Sequence, residues 1–375
     1  MNPVLSQHTL EDSYLKFRIA GINVSLANAL RRIIISEIPT VVFRTTPHDE
    51  NRAEFLINTT RMNNEIIKQR LSCIPIHITD TDFPIDDYIV EIEKKNDSDV
   101  IDFITTKDFK IKNIKTETYV KDAERNKIFP PDPISGDHID LVRLRPRISD
   151  DIGGEHLKLT CKFDIGTAKQ DGAFNVISTC SYAFAQDPVE INTVWTEKSA
   201  AMKKEGLSKE EIASAQKDWL LLEAKRYTLE DTFDFIIESV GVFPNESIMV
   251  KSAHVMLDKL KLFMDDIQSK QELVEKANTT IPNCYDVILK NEDYTLGKVL
   301  EYILYSKRYD RMSADSDKTL SYCGFRKPHP HINISIIRLG FIDEVDSTVV
   351  VSYMVDAVAD ALKVYEKIAE HFSEE

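Results

Sequence analysis

The chain contains one short helix twice, and this repeat confines it to folds built from two related halves. The first copy lies in NVSLANALRRIIISEIPT, residues 23 to 40. With Ser25 as N-cap and Pro39 as the stop, Leu26, Ala29, Leu30, Ile33 and Ile34 fall at i, i+3, i+4, i+7 and i+8, a single apolar stripe. The second copy, in EDYTLGKVLEYIL, repeats the stripe 270 residues later with Thr295 as N-cap and Leu296, Val299, Leu300, Ile303 and Leu304 as its members. Each copy follows a strand-like segment, YLKFRIAG at 14 to 21 and CYDVILKN at 284 to 291.

A second echo follows the first. FIIESVGVF at 235 to 243 parallels ISIIRLGFI at 334 to 342, both strand-like and both with Gly at the seventh place. Each leads into a long amphipathic helix. The one from about Glu246 to Gln268 has Ala253, Met256, Leu257, Leu260, Phe263, Met264 and Ile267 on its stripe. The one from about Thr348 to Phe372 has Met354, Ala357, Val358, Ala361, Leu362, Tyr365, Ile368, Ala369 and Phe372. A helix of about 24 residues is about 36 Å long. The expected fold class is therefore α+β, with two sheet-plus-helix modules facing each other through their helices as an intramolecular pseudo-dimer.

The copies differ in length. From Ala27 to Gly241 is 214 residues, but from Gly297 to Gly340 is only 43, so the first copy must carry an insertion. Composition agrees: from about Thr79 the helical period gives way to short β-rich runs separated by Asp, Asn, Pro and Gly. The expected organisation is a first module at 1–78 with 228–268, an inserted β-rich domain at 79–227, a polar linker at 269–283, and a second module at 284–375. Within the insert, DPVEINTVWTEKSAAMKKEG reads as a long solvated loop, and Ser208 with Glu211 forms a capping box opening a helix.

The opposite face of the first short helix carries Asn28, Arg31, Arg32 and Ile35 at the same spacing. Periodicity alone allows either a solvated surface or a face docked on a partner whose carboxylates or carbonyls receive the arginine forks. Charge narrows the partner. A net charge of −15 disfavours a broad electrostatic grip on nucleic acid, which depends on Lys and Arg neutralising phosphates. The five cysteines are odd in number, scattered and without a C-x2-C pair, which fits a reducing intracellular setting and suggests neither a disulfide framework nor a zinc ribbon. No run of 18 apolar residues is present, so no membrane span is expected.

These segments resemble the α-type assembly subunits of multisubunit DNA-directed RNA polymerases. SLANALRRIIISEIPTVVF followed by NNEIIKQRLSCIPIHI is similar to the signature of bacterial α and of the third subunit of eukaryotic RNA polymerase II. NEDYTLGKVLEYIL followed by YCGFRKPHPHINISIIRL is similar to that of the eleventh subunit, and GEHLKLTCKFDIGTAKQ to the inserted β domain of the larger partner. Both partners in one chain resembles the fused subunits of large nucleocytoplasmic DNA viruses. The resemblance implies a non-catalytic platform that holds the largest and second-largest subunits and meets the small subunits. In it the Asn28, Arg31, Arg32 and Ile35 face would meet the second-largest subunit. It further implies one copy of the chain per complex, in a cytoplasmic virus factory or virion if the source is viral.

Two departures bear on chemistry. The clustered zinc-binding cysteines of many third subunits are missing, since the insert holds only Cys161 and Cys180, so no metal or other cofactor is expected. Residues 189 to 226 have no counterpart in the resemblance. Cys323, His329 and His331 lack a nearby fourth ligand, Lys298 lies inside a helix and not at a phosphate loop, and no Asp-x-Asp-x-Asp triad is present for nucleotidyl transfer. The competing class is a free-standing transcription regulator that uses the same fold to bind polymerase or DNA.

Overall fold

The computed structural model describes residues 1–80, 82–149, 153–314 and 316–373. The chain divides into two compact units, one made of Met1–Ile34, Thr179–Glu238 and the chain from Asn245 onward, the other of Ile35–Ser178 with Ser239–Pro244.

The first unit holds two four-stranded antiparallel sheets. In one, β1 (Val4–Glu11), β2 (Tyr14–Ala20), β12 (Thr228–Ser239) and β11 (Ile177–Gln186) lie in the order β1-β2-β12-β11. In the other, β13 (Val274–Lys276), β14 (Cys284–Lys290), β16 (Ile334–Phe341) and β15 (Leu320–Arg326) lie in the order β13-β14-β16-β15. The pleat explains which residues form the core: Leu15, Phe17 and Ile19 on β2 are buried on one face, as are Tyr285, Val287 and Leu289 on β14. Phe17 faces Phe235 across its sheet, and Val287 faces Ile337 across the other. The two ladders therefore equate Phe235 with Ile337, whereas the glycine echo equates Gly241 with Gly340. Gly340 lies within β16 opposite Cys284, but Gly241 lies beyond β12 at φ +102°, so the matched glycines occupy different places.

Two short helices follow the paired strands, α1 (Val24–Ser36) and α7 (Tyr294–Leu304). Their buried residues include both expected stripes, Leu26, Ala29, Leu30, Ile33 and Ile34, and Leu296, Val299, Leu300, Ile303 and Leu304. The caps are two residues earlier than expected. Asn23 Oδ1 accepts from the Ser25 amide and Asp293 Oδ1 from the Thr295 amide, both at 2.9 Å, so Ser25 and Thr295 are already helical. Gly21, at φ +77°, makes the turn into α1, and a Cβ there would meet the Asn2 carbonyl oxygen at 2.4 Å.

The long helices α6 (Asn245–Ser269) and α8 (Ser347–Ser373) pack against each other, burying Ala253, Met256 and Leu260 on the first and Met354, Val358 and Ala361 on the second. Met264 and Leu362, expected on the stripes, are half-buried at their margins. Phe17 meets Phe372 edge-on at 5.2 Å. Residues 269 to 283 are more than a linker, because Val274–Lys276 pairs with β14 as an edge strand.

The expected loop after Asp187 is a helix. Residues α4 (Pro188–Lys204) and α5 (Lys209–Leu221) form two consecutive helices, with Trp195, Trp219 and Tyr227 clustered around Ile191. Asp187 caps α4 by accepting from the Val189 and Glu190 amides, and Pro188 occupies the first turn. Ser208 and Glu211 form the expected capping box on α5.

The second unit is β-rich. The strands β4 (Ala53–Asn58), β9 (His156–Lys162), β5 (Tyr88–Lys95) and β7 (Phe109–Asn113) form one sheet in that order. The pairs β3 (Thr40–Val42) with β10 (Asp164–Gly166), and β6 (Asp102–Thr105) with β8 (Asp140–Leu144), complete it beside helices α2 (Asn64–Ser72) and α3 (Asp122–Ile128). Phe43 stacks on Phe129 and Phe163 in its core. Buried Arg44 is held by Asp164 at 2.8 Å and by the Ile165 carbonyl at 2.6 Å. This unit overlaps the expected 79–227 segment with different bounds. It begins earlier because β4 pairs with β9, and it ends at Ser178 because β11 joins the other unit's sheet.

Candidate interface on the first short helix

Helix α1 turns its apolar stripe inward, which leaves Asn28, Arg31 and Arg32 half-buried and Ile35 37% exposed. The four expected docking residues therefore share a face, but their side chains are engaged differently. Arg32 is turned toward the second helix: its Nε donates to Thr295 Oγ1 at 2.9 Å and its Nη2 to Asp293 Oδ2 at 3.0 Å. Asp293 also caps α7, so one carboxylate serves the helix start and the arginine together.

Arg31 makes a lighter commitment. Its Nε donates to Asn28 Oδ1 at 3.0 Å, and its charge acts on Cys180 and Tyr182 of β11. Burial pushes the Cys180 thiol up to about 12, with the nearby Arg31 charge opposing the shift. Burial also raises the Tyr182 hydroxyl, again against Arg31.

Around Arg32 the repeated segments touch at points that sequence reasoning did not single out. Lys259 on α6 donates to both carboxylate oxygens of Glu292, at 2.9 and 2.8 Å, with both side chains largely covered. Tyr365 on α8, fully buried, donates its hydroxyl to the Leu26 carbonyl at 3.3 Å. Tyr365 lay on the expected stripe; the signal for its role was a polar tip on an otherwise apolar seam.

The corresponding face of α7 has different chemistry. The 270-residue spacing sets Lys298, Glu301, Tyr302 and Tyr305 where α1 has Asn28, Arg31, Arg32 and Ile35. Glu301 pairs with Lys298 and accepts from the backbone amide of Phe325 on β15 at 3.0 Å. Cys323 on β15 lies beside Glu301, its thiol pushed up to about 12 by burial and then by that carboxylate. Gly297 is required there, since a Cβ would meet the Phe325 ring at 2.0 Å.

Among the described residues no three His, Cys, Asp or Glu side chains gather as a metal site, and no helix is long and apolar enough to cross a membrane. A family model for the RNA polymerase Rpb3/Rpb11 dimerisation domain matches residues 16–260. The human DNA-directed RNA polymerases I and III subunit RPAC1 is 22% identical over 311 residues, covering 70% of this chain and 84% of that protein. The DNA-directed RNA polymerase subunit Rpo3 of Pyrococcus horikoshii is 25% identical over 282 residues, covering 69% of this chain and 95% of that protein. The Arabidopsis thaliana DNA-directed RNA polymerases IV and V subunit 3B is 39% identical over a shorter stretch of 74 residues, 20% of this chain and 21% of that protein. With the family match spanning more than half its length, the chain belongs to the RNA polymerase Rpb3/Rpb11 dimerisation-domain family, the α-type assembly subunits of DNA-directed RNA polymerase.

Proposed function

We propose that this chain is a non-catalytic assembly platform that carries both halves of an α-type dimer in one polypeptide and holds the largest and second-largest polymerase subunits. The first half is the sheet β1-β2-β12-β11 with α1 and α6; the second is the sheet β13-β14-β16-β15 with α7 and α8. The observation that carries this reading is the set of contacts joining the halves. These are α6 on α8, Arg32 on Asp293 and Thr295, Lys259 on Glu292, and Tyr365 on the Leu26 carbonyl. Pairing surfaces that a separate-chain dimer would need to find by diffusion are here tethered, which raises their effective concentration.

In this reading Arg32 belongs to the pairing of the halves, while Asn28, Arg31 and Ile35 remain for the second-largest subunit. The three side chains lie on one helix face, none of them fully buried. Affinity purification of a tagged chain from its native source tests the reading. Stoichiometric recovery of two very large subunits is expected, and recovery of the chain alone or with DNA would overturn it in favour of a free-standing regulator.

A further inference from the structure

The two sheets end on corresponding edge strands, β11 and β15, which are finished differently. The ladders equate Phe235 with Ile337. Phe325 pairs with Ile337. On β11, Thr179 reaches Glu238 at 3.5 Å and the Phe184 ring lies 4.9 Å from that of Phe233, contacts that set Tyr182 opposite Phe235, so Tyr182 corresponds to Phe325 and Cys180 to Cys323. On β15 the edge amide of Phe325 is capped by the Glu301 carboxylate from the adjoining helix. At the equivalent helix position the first half has Arg31, which has only donors and cannot accept an amide. Among the described residues no side chain accepts from the Tyr182 amide, and Arg31 is bonded only through Nε, which leaves both Nη groups without a protein acceptor.

The strand itself carries no edge protection. The ten residues ISTCSYAFAQ contain no Asp, Glu, Lys, Arg or Pro, and Phe184 is 41% exposed. Natural edge strands of this length are normally blunted by charge, proline or a covering element, because an open row of amides and carbonyls recruits another strand.

We propose that β11 is a strand-addition site: an extended segment of the partner polypeptide pairs with its free edge and places an Asp or Glu carboxylate between the Arg31 guanidinium and the Tyr182 amide. The second half holds the template for this arrangement, because Glu301 supplies internally the carboxylate that the first half lacks. The positive charge of Arg31 selects an acidic side chain at that register, and the main-chain ladder supplies the remaining contacts. This rests on the platform reading, since the partner is the large subunit that meets α1, and it names how that subunit is held.

The test uses the full chain, free and assembled by co-expression with the largest and second-largest subunits of its polymerase, with hydrogen exchange followed through residues 179–186. Assembly should slow exchange of the Tyr182 amide at least about 10-fold, as a newly formed ladder bond protects it. Arg31→Glu should cap the edge from within, as Glu301 does, and weaken assembly at least about 10-fold while thermal melting of the free chain is retained. Tyr182→Pro should lose more complex than Tyr182→Ala, because both remove the ring and only proline removes the amide. A complex that forms in full yield with unchanged exchange in β11 overturns strand addition and leaves the platform standing. Failure of the unaltered chain to form any complex overturns both.

Discussion

Adjacent arginines on one helix serve different ends, and single substitutions separate them. Arg32 is about one-third exposed and bonds Asp293 and Thr295, so Arg32→Ala should cost about 1 kcal/mol of stability after allowance for solvent screening. Arg31→Ala removes only a local bond to Asn28. It should change stability by less than about 0.5 kcal/mol yet weaken binding of the second-largest subunit by about 2–5 kcal/mol. Thermal melting of the free chain beside yield of the co-expressed complex reads the two effects. A melting loss for Arg31→Ala equal to that of Arg32→Ala would show that both arginines hold the fold. Gly297→Ala forces a Cβ into the Phe325 ring and should destabilise the chain by about 1–3 kcal/mol, measured by denaturant unfolding; an unchanged midpoint would contradict the close approach. The face formed by Asn28, Arg31, Arg32 and Ile35 was legible from periodicity. The split within it was not, because the partner of Arg32 lies 261 residues away and no local pattern encodes a distance of that kind.

At the scale of elements, strong periods were readable and weak ones were not. The long helices α6 and α8 begin and end within a residue or two of expectation because their stripes recur over many turns. Helix α4 has the sequence character of a loop: β-branched Val189, Ile191, Thr193, Val194 and Thr196 dilute its helical preference, and only Ile191 is buried. The Asp187-Pro188 start signal was the available clue. Helix starts also give this fold a pH response. Asp346 precedes α8, accepting from the Thr348 hydroxyl and from the Thr348 and Val349 amides, and these bonds, the hydroxyl foremost, hold its carboxyl below the usual range. A lowered carboxyl pKa contributes stability that is present above the unfolded value and lost as pH falls through the folded one. Asp346→Ala should therefore lower Tm at neutral pH, and its deficit relative to the unaltered chain should shrink in acid below that carboxyl's folded pKa. A deficit that is constant with pH would show that the cap does not act through its charge.

For the whole molecule, the internal repeat points to two related sheet-and-helix segments but does not set their extents. Sheet membership depends on which distant strands pair. β11 lies far from β2 in sequence yet shares its sheet, Val274–Lys276 pairs with β14 from a polar stretch, and β4 pairs with β9 about 100 residues on. The contacts between the repeated segments bring together groups that two separate chains would otherwise have to supply, which is the reason for reading one chain as a complete α-type dimer. Native mass spectrometry of polymerase purified through a tag on this chain tests that claim most directly. One copy of the chain is expected for each largest and each second-largest subunit; two copies per complex would mean that one chain does not supply both halves of the dimer.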